Sequence, residues 1–326
     1  MKITVLGMGA WGTALGKLLL EDGHELTLWD WDQPNLRRVA ETGRNEKYLP
    51  GFALGSGFQV ANDPEAAARE GEVMVLATRS SALREVSGRL ARFRGIVVSV
   101  TKGIEFETGL TMSGVLQETL PAGRVVALSG PTLAVEVARG IPTAAVAGSA
   151  DAEAARAVQG LLHRPTFRVY TSPDILGVEL GGALKNVIAI AAGVCDGLGF
   201  GDNAKAALVT RALAEMRRLG VACGAQPETF SGLSGLGDLV VTCFSSLSRN
   251  HTLGERLGRG EALESILAGS VAVAEGHPTA RAARQLAQRH GVPTPVLDEV
   301  YAMLYEGKNP QQALQDLTRR GSKAED

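Results

Sequence analysis

From Gly177 to Val194 almost every residue is small or apolar, and Lys185 is the one cation in that run, within Glu179-Leu180-Gly181-Gly182-Ala183-Leu184-Lys185-Asn186. An ammonium buried in such a helix loses its hydration. It persists when paired, when its pKa falls, or when a ligand completes its shell. Each of these conditions makes an acid–base catalyst, and Lys185 is the candidate proton donor and acceptor. The alternative is a lysine that snorkels to the surface from one helix face.

Two other groups carry charge where an anion could be held. Lys102 precedes Gly103 at the end of an apolar stretch and is the best anion ligand of the first half, unless it is a solvated surface lysine. Farther on, Ser231-Gly232-Leu233-Ser234-Gly235-Leu236-Gly237-Asp238 is followed ten residues later by Ser248-Arg249-Asn250. Asp238 supplies a carboxylate, Arg249 a bidentate phosphate donor, and Ser248 and Asn250 neutral partners. A solvated turn with a helix cap reads the same spacing equally well.

The elements that must position these groups divide the chain. Lys2 to Leu6 reads as a buried strand, followed by Gly7-Met8-Gly9-Ala10-Trp11-Gly12 and a helical run from Thr13 to Leu20. This is a dinucleotide fingerprint in its proper context. Gly7 and Gly9 permit the tight turn and close approach of a pyrophosphate, Gly12 lets helix pack on strand, and the helix N-terminus offers amides and a positive dipole. A second strand, Glu25 to Trp29, ends in Asp30-Trp31-Asp32. A carboxylate there accepts bonds from the adenosine ribose and repels a 2′-phosphate, which predicts NAD(H) over NADP(H). Arg37 and Arg38 keep NADP(H) open, and either acid could instead cap the next helix.

Further strands are predicted at Val73–Ala77, Ile96–Val100, Val125–Leu128, Ala144–Ala147 and Phe167–Tyr170. Near-continuous apolar runs suit parallel strands covered on both faces. After Tyr170 helical patterns follow one another. Asn203 to Leu219 is one helix with Gly220 as its C-cap, and Thr294-Pro295 and Asn309-Pro310 open two more. The expected architecture is α/β: a doubly wound Rossmann-type domain over 1–177, then an all-helical substrate domain over 178–326.

Composition bounds the partners. The 326 residues are 45% hydrophobic and 21% charged with a net charge of −2, so no general attraction to nucleic acid or membrane is expected. The N-terminus is too short before its glycine turn for a signal peptide, and no uninterrupted apolar run spans a bilayer. A cytoplasmic address follows. Three unspaced cysteines and five scattered histidines predict neither disulfides nor a metal site, and the apolar helical half makes a homodimer plausible.

These residues resemble the bacterial NAD(P)-dependent glycerol-3-phosphate dehydrogenases over essentially the whole chain. The likeness is carried by Gly-Met-Gly-Ala-Trp-Gly-Thr-Ala-Leu at 7–15, Tyr48-Leu49-Pro50, Thr101-Lys102-Gly103-Ile104-Glu105 and Ser129-Gly130-Pro131-Thr132-Leu133-Ala134-Val135-Glu136-Val137. It continues through Glu179 to Asn186, Gly235-Leu236-Gly237-Asp238, Ser248-Arg249-Asn250 and Val273-Ala274-Glu275-Gly276. The resemblance implies reduction of dihydroxyacetone phosphate to sn-glycerol 3-phosphate for phospholipid synthesis, on a helical domain like the C-terminal one of 6-phosphogluconate dehydrogenase. It implies Lys185 as catalyst and Lys102, Gly130, Thr132, Lys185, Asp238, Ser248, Arg249 and Asn250 as substrate ligands. Ala10, Trp11, Trp31, Tyr48, Ala134, Val273 and Glu275 become cofactor contacts beside Gly7, Gly9, Gly12 and Asp30, with Lys102 and Arg249 touching both ligands. Thr132 stands where the family usually has serine. Asp30-Trp31-Asp32 replaces a stretch that is neutral or basic in NADP-using members. Ketopantoate and 6-phosphogluconate dehydrogenases share the expected architecture; the Ser-Arg-Asn loop and Gly-Pro-Thr turn favour glycerol phosphate. A non-catalytic nucleotide sensor would have no need of Lys185 or Arg249.

Overall fold

A computed structural model describes residues 1–269 and 274–319. They form two compact units, one of 1–105 with 110–179 and one of 106–109 with the chain from Leu180 onward. The first is built on an eight-stranded sheet: β1 (Lys2–Leu6), β2 (Glu25–Trp29), β3 (Phe58–Val60), β4 (Val73–Leu76), β5 (Ile96–Ser99), β6 (Arg124–Ser129), β7 (Thr143–Gly148) and β8 (Phe167–Ser172), in the order β3-β2-β1-β4-β5-β6-β7-β8. Its helices are α1 (Ala10–Glu21), α2 (Gln33–Thr42), α3 (Pro64–Ala68), α4 (Leu83–Gly88), α5 (Met112–Thr119), α6 (Ala134–Ala138) and α7 (Ala152–Leu162).

The apolar strands are explained by what covers them. Ile3, Val5, Val73, Val75 and Val98 pack with Leu15, Leu18 and Leu19 of α1 and with Val158 and Leu162 of α7. Their neighbours along the strands, Leu6, Met74, Leu76 and Val97, face the other way onto Leu83 and Val86 of α4 and Val115 and Leu116 of α5. Both faces are buried, so alternation with polar residues disappears. Leu6 is registered against Trp29 on one side and Leu76 on the other. The order reverses beside β1, and the strand ends there are where open α/β sheets bind ligands.

One strand expectation needs correction and one strand was not expected. β7 runs antiparallel to β6 while pairing parallel with β8; an apolar run buried on both faces reads the same in either direction. β3 has three residues at the sheet edge, too few to show a period.

The second unit begins within α8 (Ile175–Gly197) and continues through α9 (Asp202–Ala222), α10 (Asp238–Phe244), α11 (Arg249–Gly258), α12 (Leu263–Ala268), α13 (Gly276–Arg289), α14 (Pro295–Tyr305) and α15 (Pro310–Thr318). By length and composition α8 could cross a membrane, but 89% of its most apolar window is buried inside the protein. It crosses α11 at very close range. A Cβ on Gly193 or Gly254 would lie 2.0 Å from the carbonyl oxygen of His251 or Ile190, and Gly197 and Gly258 are similarly closed. The close packing of α8 on α11 therefore depends on glycines spaced by four on both helices.

Gly220 does not cap α9, which continues to Ala222 with Cys223 as its C-cap. Its missing side chain instead makes room for Phe230, whose Cζ would lie 2.0 Å from a Cβ. Asn309 caps α15 through the Gln311 amide, whereas Thr294 opens α14 without a side-chain cap bond. Glu179 is bound within the first unit: its carboxylate accepts from Ser113 N at 2.8 Å and Ser113 Oγ at 2.5 Å. Burial pushes its pKa up against those bonds.

Candidate active site

In the first unit the glycine loop has the geometry that its spacing predicts. Gly7 has φ +101°, and a Cβ there would sit 2.5 Å from Ala77 O; one on Gly12 would sit 1.9 Å from Gly7 O. Gly7 and Gly12 are thus required by the turn itself. A Cβ on Gly9 would meet nothing within 4 Å, which leaves the loop open on the side where a pyrophosphate approaches. Ala10 and Trp11 begin α1. The Trp11 indole is 6.4 Å from the Phe167 ring, and its buried Nε1 has no hydrogen-bond partner.

The acids after β2 are engaged by the protein. Asp30 Oδ2 accepts the Met8 N–H of the glycine loop at 2.5 Å, and Oδ1 accepts Asp32 N–H at 2.8 Å. Asp32 caps α2 through Asn35 N–H at 3.1 Å and pairs with Lys47 Nζ at 2.5 Å. The Lys47 hydrogen bond holds the Asp32 carboxyl below its usual range, against a smaller upward push from burial. Trp31 is 52% exposed and sits edge-on to Trp29 at 5.1 Å. The Tyr48 ring lies 5.1 Å from the Lys47 ammonium.

At the end of β6 three expected residues meet at one carbonyl. Lys102 Nζ donates to Gly130 O at 3.3 Å, and Thr132 Oγ1 donates to the same oxygen at 3.1 Å. Gly130 has φ +144°, and a Cβ there would lie 3.0 Å from Ala144 O and Ala145 Cα, so a side chain there would be strained and would press on β7. Ala134 is the first residue of α6. Along the same strand ends the buried hydroxyls of Thr78, Ser99 and Ser129 have no hydrogen-bond partner.

In the second unit Lys185 is 7% exposed and does not snorkel. Its Nζ lies 2.9 Å from Asp238 Oδ1 and donates to Thr242 Oγ1 at 2.7 Å. Thr242 in turn donates to the Asp238 carbonyl at 2.6 Å. Asp238 and Thr242 stand one turn apart on α10, so a single helix presents both oxygens to the ammonium. Thr242 was not singled out from sequence; the signal was its four-residue spacing from Asp238. The neighbouring Cys243 is pushed up to about 12 by burial and remains a thiol, which removes a thiolate nucleophile from this site.

The loop after α10 is built by its own polar residues. Ser248 caps α11 by accepting His251 N–H at 3.2 Å. Asn250 donates from Nδ2 to Asn186 Oδ1 at 2.9 Å and accepts Gly276 N–H at 2.9 Å. The residue after Lys185 thereby fixes the first turn of α11, a role for Asn186 not read from the sequence. Arg249 is exposed at the head of α11. Glu275 stands at the N-cap of α13. Val273 lies outside the described residues. Among the described residues no three His, Cys, Asp or Glu side chains are grouped as metal ligands.

Comparison with known proteins agrees with both halves. The NAD-dependent glycerol-3-phosphate dehydrogenase N-terminus model matches residues 2–155 and the C-terminus model residues 174–315. A glycerol-3-phosphate dehydrogenase [NAD(P)+] of Syntrophotalea carbinolica is 50% identical, the alignment covering 100% of this chain and 99% of that protein. One of Geobacter metallireducens is 49% identical over 99% of this chain and 98% of its own length. The crystal structure of glycerol-3-phosphate dehydrogenase (gpsA) from Coxiella burnetii superposes with a TM-score of 0.95 at 35% identity, covering 98% of this chain and 99% of that one. With a dinucleotide-type glycine loop in one unit and a buried lysine held by Asp238 and Thr242 in the other, the chain belongs to the NAD-dependent glycerol-3-phosphate dehydrogenase family.

Proposed function

We propose that the protein interconverts dihydroxyacetone phosphate and sn-glycerol 3-phosphate with a nicotinamide dinucleotide, supplying the backbone of glycerophospholipids. The observation that carries the catalytic assignment is the buried Lys185–Asp238 pair, 2.9 Å apart. An ammonium placed between a carboxylate and a threonine hydroxyl is held in position, and gives a proton up when a strong base forms beside it. A ketone oxygen gaining negative charge on reduction is such a base. Lys185 donates to it, and in the reverse direction accepts the proton of the substrate alcohol. Asp238 and Thr242 orient Lys185.

The bound dinucleotide supplies or accepts the hydride. Gly7, Gly9 and Gly12 suit its pyrophosphate, and Ala10, Trp11, Trp31, Tyr48, Ala134, Val273 and Glu275 are assigned as its further contacts. We assign Lys102 and Arg249 to the charged groups of both ligands, and Gly130, Thr132, Asp238, Ser248 and Asn250 to the substrate. Positioning by these residues lowers the barrier by holding the reacting atoms near attack geometry. The cofactor-binding part is taken as 1–177 and the catalytic part as 178–326. Asp30 is assigned to favour NAD(H), Asp32 only to the extent that Lys47 leaves its charge uncancelled, and NADP(H) is also accepted. The proposed working form is a cytoplasmic homodimer, supported by the near-neutral charge and the apolar residues exposed on the helical unit.

The test is the initial rate of NADH oxidation with dihydroxyacetone phosphate, against NADPH and against unphosphorylated dihydroxyacetone. Turnover that requires the phosphate and runs faster with NADH supports the reading. Measurable NADH binding with no turnover rejects the substrate.

A further inference from the structure

The acidic end of β2 carries less negative charge than its sequence suggests. Asp30 is turned toward the glycine loop, with one oxygen on Met8 N–H and the other on Asp32 N–H. Its charge is fixed in place by backbone donors. Asp32 is different. One of its oxygens caps α2, and the other meets Lys47, a residue fifteen positions on in a separate segment. The Lys47 and Asp32 side chains are 40% and 23% exposed, and the Lys47 ammonium also borders the ring of Tyr48. The pair is neutral as a unit, so the strand end presents one uncompensated carboxylate rather than two.

We propose that Lys47 is the residue that sets how far this protein discriminates between NAD(H) and NADP(H): by neutralising Asp32 it makes the site tolerant of a 2′-phosphate. The proposal rests on the assignment of a dinucleotide to the Gly7–Gly12 loop. Lysine is suited to the task, because its ammonium sits on a four-carbon stem and can turn from a carboxylate to a nearby phosphate, a stronger acceptor with more charge. Arg37 and Arg38 are exposed on α2 and add to the same field without pairing Asp32 directly. With Lys47 removed, Asp32 stands bare and repels a 2′-phosphate. With Asp32 neutralised, Lys47 is left to attract one.

The two halves of the ion pair therefore act in opposite directions, which a general loss of structure cannot imitate. The test measures the affinities of adenosine 2′,5′-bisphosphate and of AMP by displacement of NADH fluorescence. Lys47→Ala should weaken the bisphosphate relative to AMP by about five- to tenfold, the effect of one exposed charge on a phosphate dianion at low salt. Asp32→Asn keeps the helix cap and should strengthen the bisphosphate relative to AMP by a similar factor. The double variant should fall between them, and all differences should shrink in high salt. An unchanged ratio in Lys47→Ala, or a shift of the same sign in both variants, overturns the proposal. Failure of NADH itself to bind the unaltered protein overturns the dinucleotide assignment, and the proposal with it.

Discussion

Replacing both members of the Lys185–Asp238 pair should cost less than the two single replacements added together. The two side chains are 9% and 2% exposed and 2.9 Å apart, so neither has water to fall back on when the other is removed. Breaking a buried pair costs about 3–5 kcal/mol, because the surviving charge is stranded. Lys185→Met fills much of the same volume and takes the ammonium from the Asp238 carboxylate, whose Oδ1 lies 3.3 Å from the Thr242 hydroxyl. Asp238→Asn keeps the shape and leaves the ammonium facing an amide and a hydroxyl; the amide oxygen still accepts, so its cost belongs at the lower end, about 3 kcal/mol. In the double variant no charge is stranded. Its cost should be smaller than the sum by about 2 kcal/mol or more, which is the coupling energy of the pair. Urea unfolding near neutral pH, followed by far-ultraviolet circular dichroism, supplies the four free energies. Single variants within about 0.5 kcal/mol of the unaltered protein, or costs that simply add, would refute the view that this lysine is held by a desolvated carboxylate.

Two further outcomes concern a buried acid and a pair of helical glycines. Glu215 accepts the Val296 N–H at 3.0 and 2.9 Å and the Leu297 N–H at 3.4 Å, and burial pushes it up to about 7. Its folded-state pKa is above its unfolded value, so the folded state holds a proton that the unfolded chain has already released. Stability should fall as pH rises from the ordinary carboxyl range to about 7, by up to about 3 kcal/mol, and level off above it. Glu215→Gln should flatten that slope in melting temperatures taken from about pH 5 to 8, and an undiminished slope would assign it elsewhere. Gly254→Ala drives a methyl group to 2.0 Å from a backbone oxygen of α8 and should cost about 3 kcal/mol or more, or yield insoluble protein. Gly160→Ala, which meets nothing within 4 Å on α7, should stabilise by about 0.5–1 kcal/mol in the same melting experiment. Equal melting temperatures for the two alanine variants would contradict this.

The first unit was legible because its signals are local and redundant: a strand, a glycine turn and a helix in immediate succession allow few other structures. β3 escaped because a three-residue edge strand has no period, and the direction of β7 because burial on both faces erases it. Lys185 stood out as a lone cation in an apolar run, and its burial could be anticipated. What held it could be anticipated only in part. Asp238 ends a conspicuous glycine turn, whereas Thr242 looks like any helical threonine until α10 is known to face α8. The same distinction separates Arg249, recognisable by its chemistry, from Asn186, whose bond to Asn250 joins residues 64 apart. Lys47 reads as a solvated lysine because nothing local shows that its chain segment returns to the end of β2.

The most direct test of Lys185 as the proton-transfer residue is turnover by Lys185→Met, measured as NADH oxidation with saturating dihydroxyacetone phosphate in protein shown by tryptophan fluorescence to bind NADH. Loss of a positioned general acid should lower kcat by about 10²–10⁴-fold while NADH remains bound. Turnover within a few-fold of the unaltered enzyme would contradict the assignment and leave Lys185 as a buried structural ion.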